Sequence, residues 1–167
     1  RTKSVEERWA ILAEAWLTTT RVASLVGKVG EIRVNALSPE VDKALAPEIR
    51  SLVLDAMAAI EPGFEPDQDA IVEYVTWLRP RKNKEEIETL VKATLGEANT
   101  IGIRGLGVLA TTGRALGEMR YTMPSPEART AAARAAVADP KGYAVKPDPM
   151  LVSAIAPLLP DAIATFV

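Results

Sequence analysis

The stretch ANTIGIRGLGVLATTGRALGEM, residues 98–119, lies between a strongly helical run and a segment rich in proline and alanine. Its period changes twice. Ile101 and Ile103 alternate, Arg104 to Gly107 supply a glycine-bearing turn, and Val108 and Leu109 can pair back, which is the pattern of a short β-hairpin. From Thr111 or Thr112, either of which can cap a helix start, the spacing of Ala115, Leu116 and Met119 is helical again. Helices, a tight hairpin and then a further helix form the order of a winged-helix unit, and residues 67–120 are read as one.

Moving upstream, Asn83 with Glu86 three residues on has capping-box spacing. Ile87, Leu90, Val91, Thr94 and Leu95 then mark the inward stripe of a helix that weakens at Gly96. Asp67 caps the preceding helix, which turns Ile71, Tyr74, Val75 and Leu78 inward and closes near Pro80. Pro47 and Glu48 suit the first turn of another helix running to about residue 60, with Ile49, Leu52, Val53, Ala56, Met57 and Ile60 on its apolar face. Residues 27–46 show no sustained period and are expected to be a long connection with a short helix after Ser38. Gly27 and Gly30 do not make the phosphate-loop pattern. Ser4 and Glu7 again have capping-box spacing, and Val5, Trp9, Leu12, Trp16 and Leu17 predict an amphipathic helix to about residue 22, its tryptophans anchoring the core.

Downstream, residues 121–147 read as an Ala/Pro-rich linker with helical character, kept soluble by Arg129 and Arg134. Asp148 and Pro149 open a helix through Met150, Leu151, Ile155 and Leu158, and DAIATFV begins a strand. The expected fold is mainly α: a helical N-terminal part, 1–66, packed on a winged-helix-like unit, 67–120, that carries a short β-hairpin. Residues 148–167 are expected to be the helix and first strand of a truncated following domain. A start at Arg1 and an end inside an apolar run suggest a piece of a larger protein.

The 167 residues are 48% apolar and 25% charged, with a formal net charge of −2, which is the balance of a soluble globular chain. Absence of cysteine and histidine removes disulfides, thiolate nucleophiles, His-dependent triads and zinc sites built on nitrogen or sulfur. Glu85, Glu86, Glu88 and Glu97 lie on or near one helix, where the helix dipole accounts for the first of them without invoking acid-base chemistry. Glu65, Asp67 and Asp69 alternate like oxygen ligands but lack the glycine and distal glutamate of a calcium loop. No metal or other cofactor is expected, and the fragment is read as non-enzymatic. No apolar run approaches the roughly 20 residues needed to span a bilayer, and no signal-peptide pattern opens the chain, so a cytoplasmic location and no membrane partner are expected.

One local feature departs from the mild negative charge. In TWLRPRKNKEEIETL, residues 76–90, Arg79, Arg81, Lys82 and Lys84 crowd directly before a helix. These four can touch phosphates, Trp77 can stack on an exposed base, and Arg104 at the hairpin can reach a minor groove, which together describe a DNA-binding site that reads mainly backbone. Four phosphate contacts give a salt slope of about −3.6 on a duplex. Against this, Glu85, Glu86 and Glu88 follow at once and can neutralise the patch or repel phosphate, and Trp77 can equally cap a core, leaving a solvated loop. A third reading is a protein-interaction scaffold, marked by an apolar patch near Met119, Tyr121 and Met123.

The pieces ERWAILAEAWLTT, VNALSPE, LAPEIRSLVLDAM, WLRPR, LATTGRAL and LLPDAIATFV, in this order, resemble an actinobacterial family of helicase-associated, XPB-like helicase-conserved-domain proteins. The likeness spans nearly the whole chain except 120–147, and falls on the region just upstream of the domain that family shares with XPB-type DNA helicases. The resemblance implies a DNA-repair or DNA-processing context, with a helicase or neighbouring domains of the parent protein as partners. It implies no ATPase here, because the chain has neither a Walker A sequence nor a helicase box.

Overall fold

The computed structural model of the protein describes residues 3–29, 32–119 and 147–159. In chain order these form α1 (Val5–Thr18), β1 (Gly27–Val29), β2 (Ile32–Val34), α2 (Ala46–Ala58), α3 (Gln68–Leu78), α4 (Lys84–Thr100), β3 (Arg104–Gly105), β4 (Val108–Leu109), α5 (Thr111–Met119) and α6 (Pro149–Ile155). Short 3-10 turns at Ala23–Leu25, Pro39–Val41 and Ala156–Leu158 complete the described elements. The fold is mainly α with short antiparallel hairpins.

At the start of α1, Glu7 N–H donates to Ser4 Oγ at 3.2 Å and Ser4 N–H donates to Glu7 Oε2 at 2.8 Å, so the capping box is reciprocal. The helix ends at Thr18, short of the expected residue 22. Thr19 is extended, and three consecutive β-branched threonines, Thr18 to Thr20, favour leaving the helix there. Its buried side also differs from expectation: Ala10, Ala13, Trp16 and Leu17 are buried, while Val5 and Leu12 face solvent. Packing against α2 and α6 selects the alanines, whose small side chains let the backbones approach.

α2 is the central helix, in contact with α1, α3, α4 and α5, and it buries Ile49, Val53, Leu54 and Met57. On α3, Asp67 accepts from Asp69 N–H at 3.4 Å, and Ile71, Val72 and Val75 are buried. Tyr74, expected inward, is exposed because the buried stripe is centred on Ile71 and Val75 and extends towards Val72, on the side away from Tyr74. α4 buries all five expected residues, Ile87, Leu90, Val91, Thr94 and Leu95, below a cap in which Asn83 Oδ1 accepts from Glu85 N–H at 2.8 Å and Glu86 N–H at 3.2 Å. The helix then passes through Gly96 without ending and adds Glu97 and Ala98 to the buried side.

The β3–β4 hairpin pairs Arg104 with Leu109 and Gly105 with Val108. Leu106 (φ 50°) and Gly107 (φ 83°) both occupy positive φ, the geometry of the primed two-residue turns that match strand twist. Thr112, expected as a possible cap of α5, instead donates its hydroxyl hydrogen to the Gly102 carbonyl at 2.8 Å and ties helix to hairpin. Gly113 lies so close to the Ile103 carbonyl that a Cβ there would collide with backbone. A second hairpin, β1–β2, pairs Gly27 with Val34 and Val29 with Ile32, inside the stretch expected to be an irregular connection.

α6 is capped by Asp148, whose carboxylate accepts from Met150 N–H at 2.8 Å. Leu151 and Ile155 are fully buried against α1 and α5. One hydrophobic cluster therefore runs from Ala10 to Ile155, across positions 66/67 and 147/148 where the sequence suggested boundaries. Of the linker expected at 121–147 all but residue 147, together with the patch residues Tyr121 and Met123 and the strand in 160–167, lies outside the described residues.

Candidate nucleic-acid interface

The local sequence builds this site around the C-terminal end of α3. A period of 3.6 that buries Ile71, Val72 and Val75 turns Tyr74 and Trp77 to the opposite side, three residues apart and therefore adjacent on the helix surface. Their rings stack, with centroids 6.5 Å apart and planes inclined by 28°. Trp77 is 73% exposed. The other two indoles are each tied to the body through the ring N–H: Trp9 Nε1–H donates to the Ile101 carbonyl at 2.9 Å, and Trp16 Nε1–H donates to Glu97 Oε2 at 2.8 Å. An aromatic side chain left in water forgoes roughly 2 kcal/mol of burial, so Trp77 is the costly one of the three.

Pro80 cannot extend the helix, and residues 79–83 make the turn into α4, closed by Lys82 N–H donating to the Arg79 carbonyl at 3.0 Å. The four cations of the turn separate into two kinds. Arg79 is half-buried, and its Nε–H donates to Glu48 on α2 while Nη1–H donates to the Leu78 carbonyl at 2.9 Å. It fastens the turn to the body. Arg81, Lys82 and Lys84 are exposed, and among the described residues none of them forms an ion pair.

Arg104 is not brought to this group. Its Nε–H donates to the Gly107 carbonyl at 3.1 Å, and its Nη2 lies 3.5 Å from Glu65 Oε1, so it braces the hairpin against the loop before α3. That loop and the turn lie at opposite ends of α3, on the order of 15 Å apart by helix rise alone. Of the six sequence-predicted contact residues, Trp77, Arg81, Lys82 and Lys84 therefore share one exposed end of α3. Arg79 supports them, and Arg104 serves the hairpin.

Among the described residues, the cation with the most partners lies elsewhere and is not among the expected site residues. Arg50, on α2, is 1% exposed. Its guanidinium donates to the carbonyls of Thr19 and Arg21, pairs with Glu97 Oε2 at 3.2 Å and sits 5.3 Å from the Trp16 ring centroid. Glu97 also accepts from Ser24 through both N–H and Oγ–H, at 3.1 Å each. Burial pushes the Arg50 pKa below its ordinary value, and the Glu97 carboxylate opposes that shift. The group joins α1, α2, α4 and the Ala23–Leu25 turn. A sequence signal existed: Arg50 falls among Ala46, Ile49, Val53 and Leu54, and Glu97 among Leu90 and Thr94, so each charge interrupts an apolar stripe.

Among the described residues no helix is long and apolar enough to cross a membrane. No protein-family model, curated protein or solved structure matches the chain.

Proposed function

We propose that the chain is a non-catalytic nucleic-acid-binding module of a larger, cytoplasmic DNA-processing protein, in keeping with the helicase-associated family that it resembles in sequence. The observation that carries this reading is the group of three exposed cations, Arg81, Lys82 and Lys84, none of them held in an ion pair among the described residues, in a turn that begins next to the exposed Trp77. Unpaired guanidinium and ammonium groups on a surface turn are free to replace counterions along a phosphate backbone. The succession α3, α4, β3–β4 hairpin and α5 across residues 67–120 supports reading that stretch as a winged-helix-like unit, and Arg79 and Asn83 fix the turn between α3 and α4. The direct test is titration of a fluorescent duplex and a fluorescent single strand with the protein at two salt concentrations. Binding at low salt that weakens as salt rises is expected, and no binding to either at low salt overturns the reading.

A second reading has its own observation at the other end of α3. Leu106, at the hairpin tip, is 100% exposed, and Phe64 in the neighbouring loop is also exposed. A docking surface for another protein uses such side chains. Leu106→Ser is expected to abolish association with such a partner and to leave nucleic-acid affinity unchanged. The protein partner implied by the helicase-associated resemblance would sit here.

A further inference from the structure

We infer that the turn and its aromatic pair bind single-stranded DNA in preference to duplex, with a base stacked on Trp77 and phosphates held by Arg81, Lys82 and Lys84; this rests on the nucleic-acid reading above. Duplex recognition by a helix after such a turn places the N-terminal half of that helix between two phosphate rows in the major groove. In α4 that half carries Lys84, Glu85, Glu86, Glu88 and Lys92, two lysines against three glutamates, with Lys92 already paired to Glu88. Phosphates on both sides would meet a net negative helix. The same α4 is no obstacle to a strand that stays on the α3 side of the turn.

Two features favour that strand. The first is the stacked Tyr74 and Trp77 pair, whose exposed ring surface offers a flat apolar platform to any unpaired base, whereas a base inside a duplex has no free face to give. The second is preorganisation. Arg79 holds the turn to Glu48, Pro80 restricts its backbone and the Asn83 cap fixes where α4 begins, so the platform and the backbone that carries the three exposed cations are set before any ligand arrives. The indole N–H of Trp77 has no partner among the described residues and remains free to donate to a base or phosphate oxygen.

The test measures affinity for a fluorescein-labelled oligothymidine of about 12 nucleotides and for a duplex of equal length, using the wild-type chain, Trp77→Ala, Trp77→Phe and Lys82→Ala. The single strand is expected to bind at least about tenfold more tightly than the duplex. Trp77→Ala should weaken single-strand binding by about tenfold while leaving the salt slope and the duplex affinity unchanged, and Trp77→Phe should recover most of the loss. Circular dichroism verifies that each variant is folded, which the exposure of both side chains favours. Equal affinity for the two forms, or a Trp77→Ala variant that binds oligothymidine like wild type while Lys82→Ala weakens it, overturns the single-strand inference and leaves the broader reading standing. Failure of the wild-type chain to bind either form at low salt overturns both.

Discussion

Arg50 lies between α2 and α4 with the Trp16 ring, the Glu97 carboxylate and two backbone carbonyls around it, whereas Arg81, Lys82 and Lys84 stand in water at the end of α3. The first region contains a single cation, marked in the sequence only by its place in an apolar stripe; the second contains the densest basic cluster in the chain. Removing a guanidinium from water costs several kcal/mol unless an anion and acceptors replace the water, so an interior cation must be matched and a surface cation need not be. Capture is decided by distant parts of the chain. The carboxylates that take Arg50, Arg79 and Arg104 lie 47, 31 and 39 residues away in sequence, so density of charge along the chain says little about which cations remain free to act.

The strongest way to break this contrast is Arg50→Ala. It leaves Glu97 buried without its counter-charge and the Thr19 and Arg21 carbonyls without their donor. A loss of about 3–5 kcal/mol is expected, seen as a fall in Tm of roughly 6–20 °C. At temperatures where the variant is folded, its nucleic-acid affinity should match wild type. A melt within a degree or so of wild type would show that the buried pair does not hold α2 to α4.

Gly113→Ala comes next, because it disturbs the hairpin that presents Arg104 to Glu65. The new methyl collides with the Ile103 carbonyl oxygen and also lies 2.8 Å from a Leu109 methyl, and the backbone contact can be relieved only by moving α5 off β3–β4. A destabilisation of about 1–3 kcal/mol is expected by thermal or urea denaturation. Retention of full stability would show that the helix and hairpin separate freely.

Much of the helical scaffold was legible because its signals are local. Caps at Ser4, Asp67, Asn83 and Asp148 act over two or three residues, and the α4 stripe repeats without interruption, so spacing alone identified its buried side. The β3–β4 turn was equally visible in the spacing of its glycines. On α1 the large residues do not mark the buried side, since close approach to α2 and α6 favours Ala10 and Ala13 over Val5 and Leu12. The β1–β2 hairpin escaped because its strands are three residues each, too short to show a period, although Gly30-Glu31 between Val29 and Ile32 is a turn signal. Within the candidate site, the cluster itself is visible in the sequence, whereas the exposure of Trp77 is not, because an indole at that spacing fits a core cap as well as a surface. The diversion of Arg79 and Arg104 to Glu48 and Glu65 is not visible either, because it is a long-range pairing.

Arg79→Ala and Arg104→Ala sharpen the contrast from its middle ground. Both pairs are partly solvated, so each substitution should cost no more than about 1 kcal/mol. Arg104→Ala should leave single-strand binding and its salt slope unchanged, since that side chain points into the hairpin and its neighbouring loop. Arg79→Ala should weaken binding slightly by loosening the turn while also preserving the slope, because Arg79 touches Glu48 and would release no counterion from the DNA. A change of slope in either variant would place that cation on the ligand.

The smallest change in stability belongs to the residues expected to matter most for binding. Lys82→Ala and Lys84→Ala remove exposed ammonium groups that form no ion pair among the described residues, so Tm should move by less than about a degree. Their effect is confined to the ligand. Three phosphate contacts on a single strand give a slope of log K against log salt of about −2.1, and losing one brings it to about −1.4. The slope separates a phosphate contact from general attraction, since charge removed far from the strand lowers affinity at low salt without taking away a whole counterion's share. A Lys82→Ala slope equal to wild type would mean that the turn attracts nucleic acid from a distance and does not grip it, and the free cations would then be no more engaged than the captured ones.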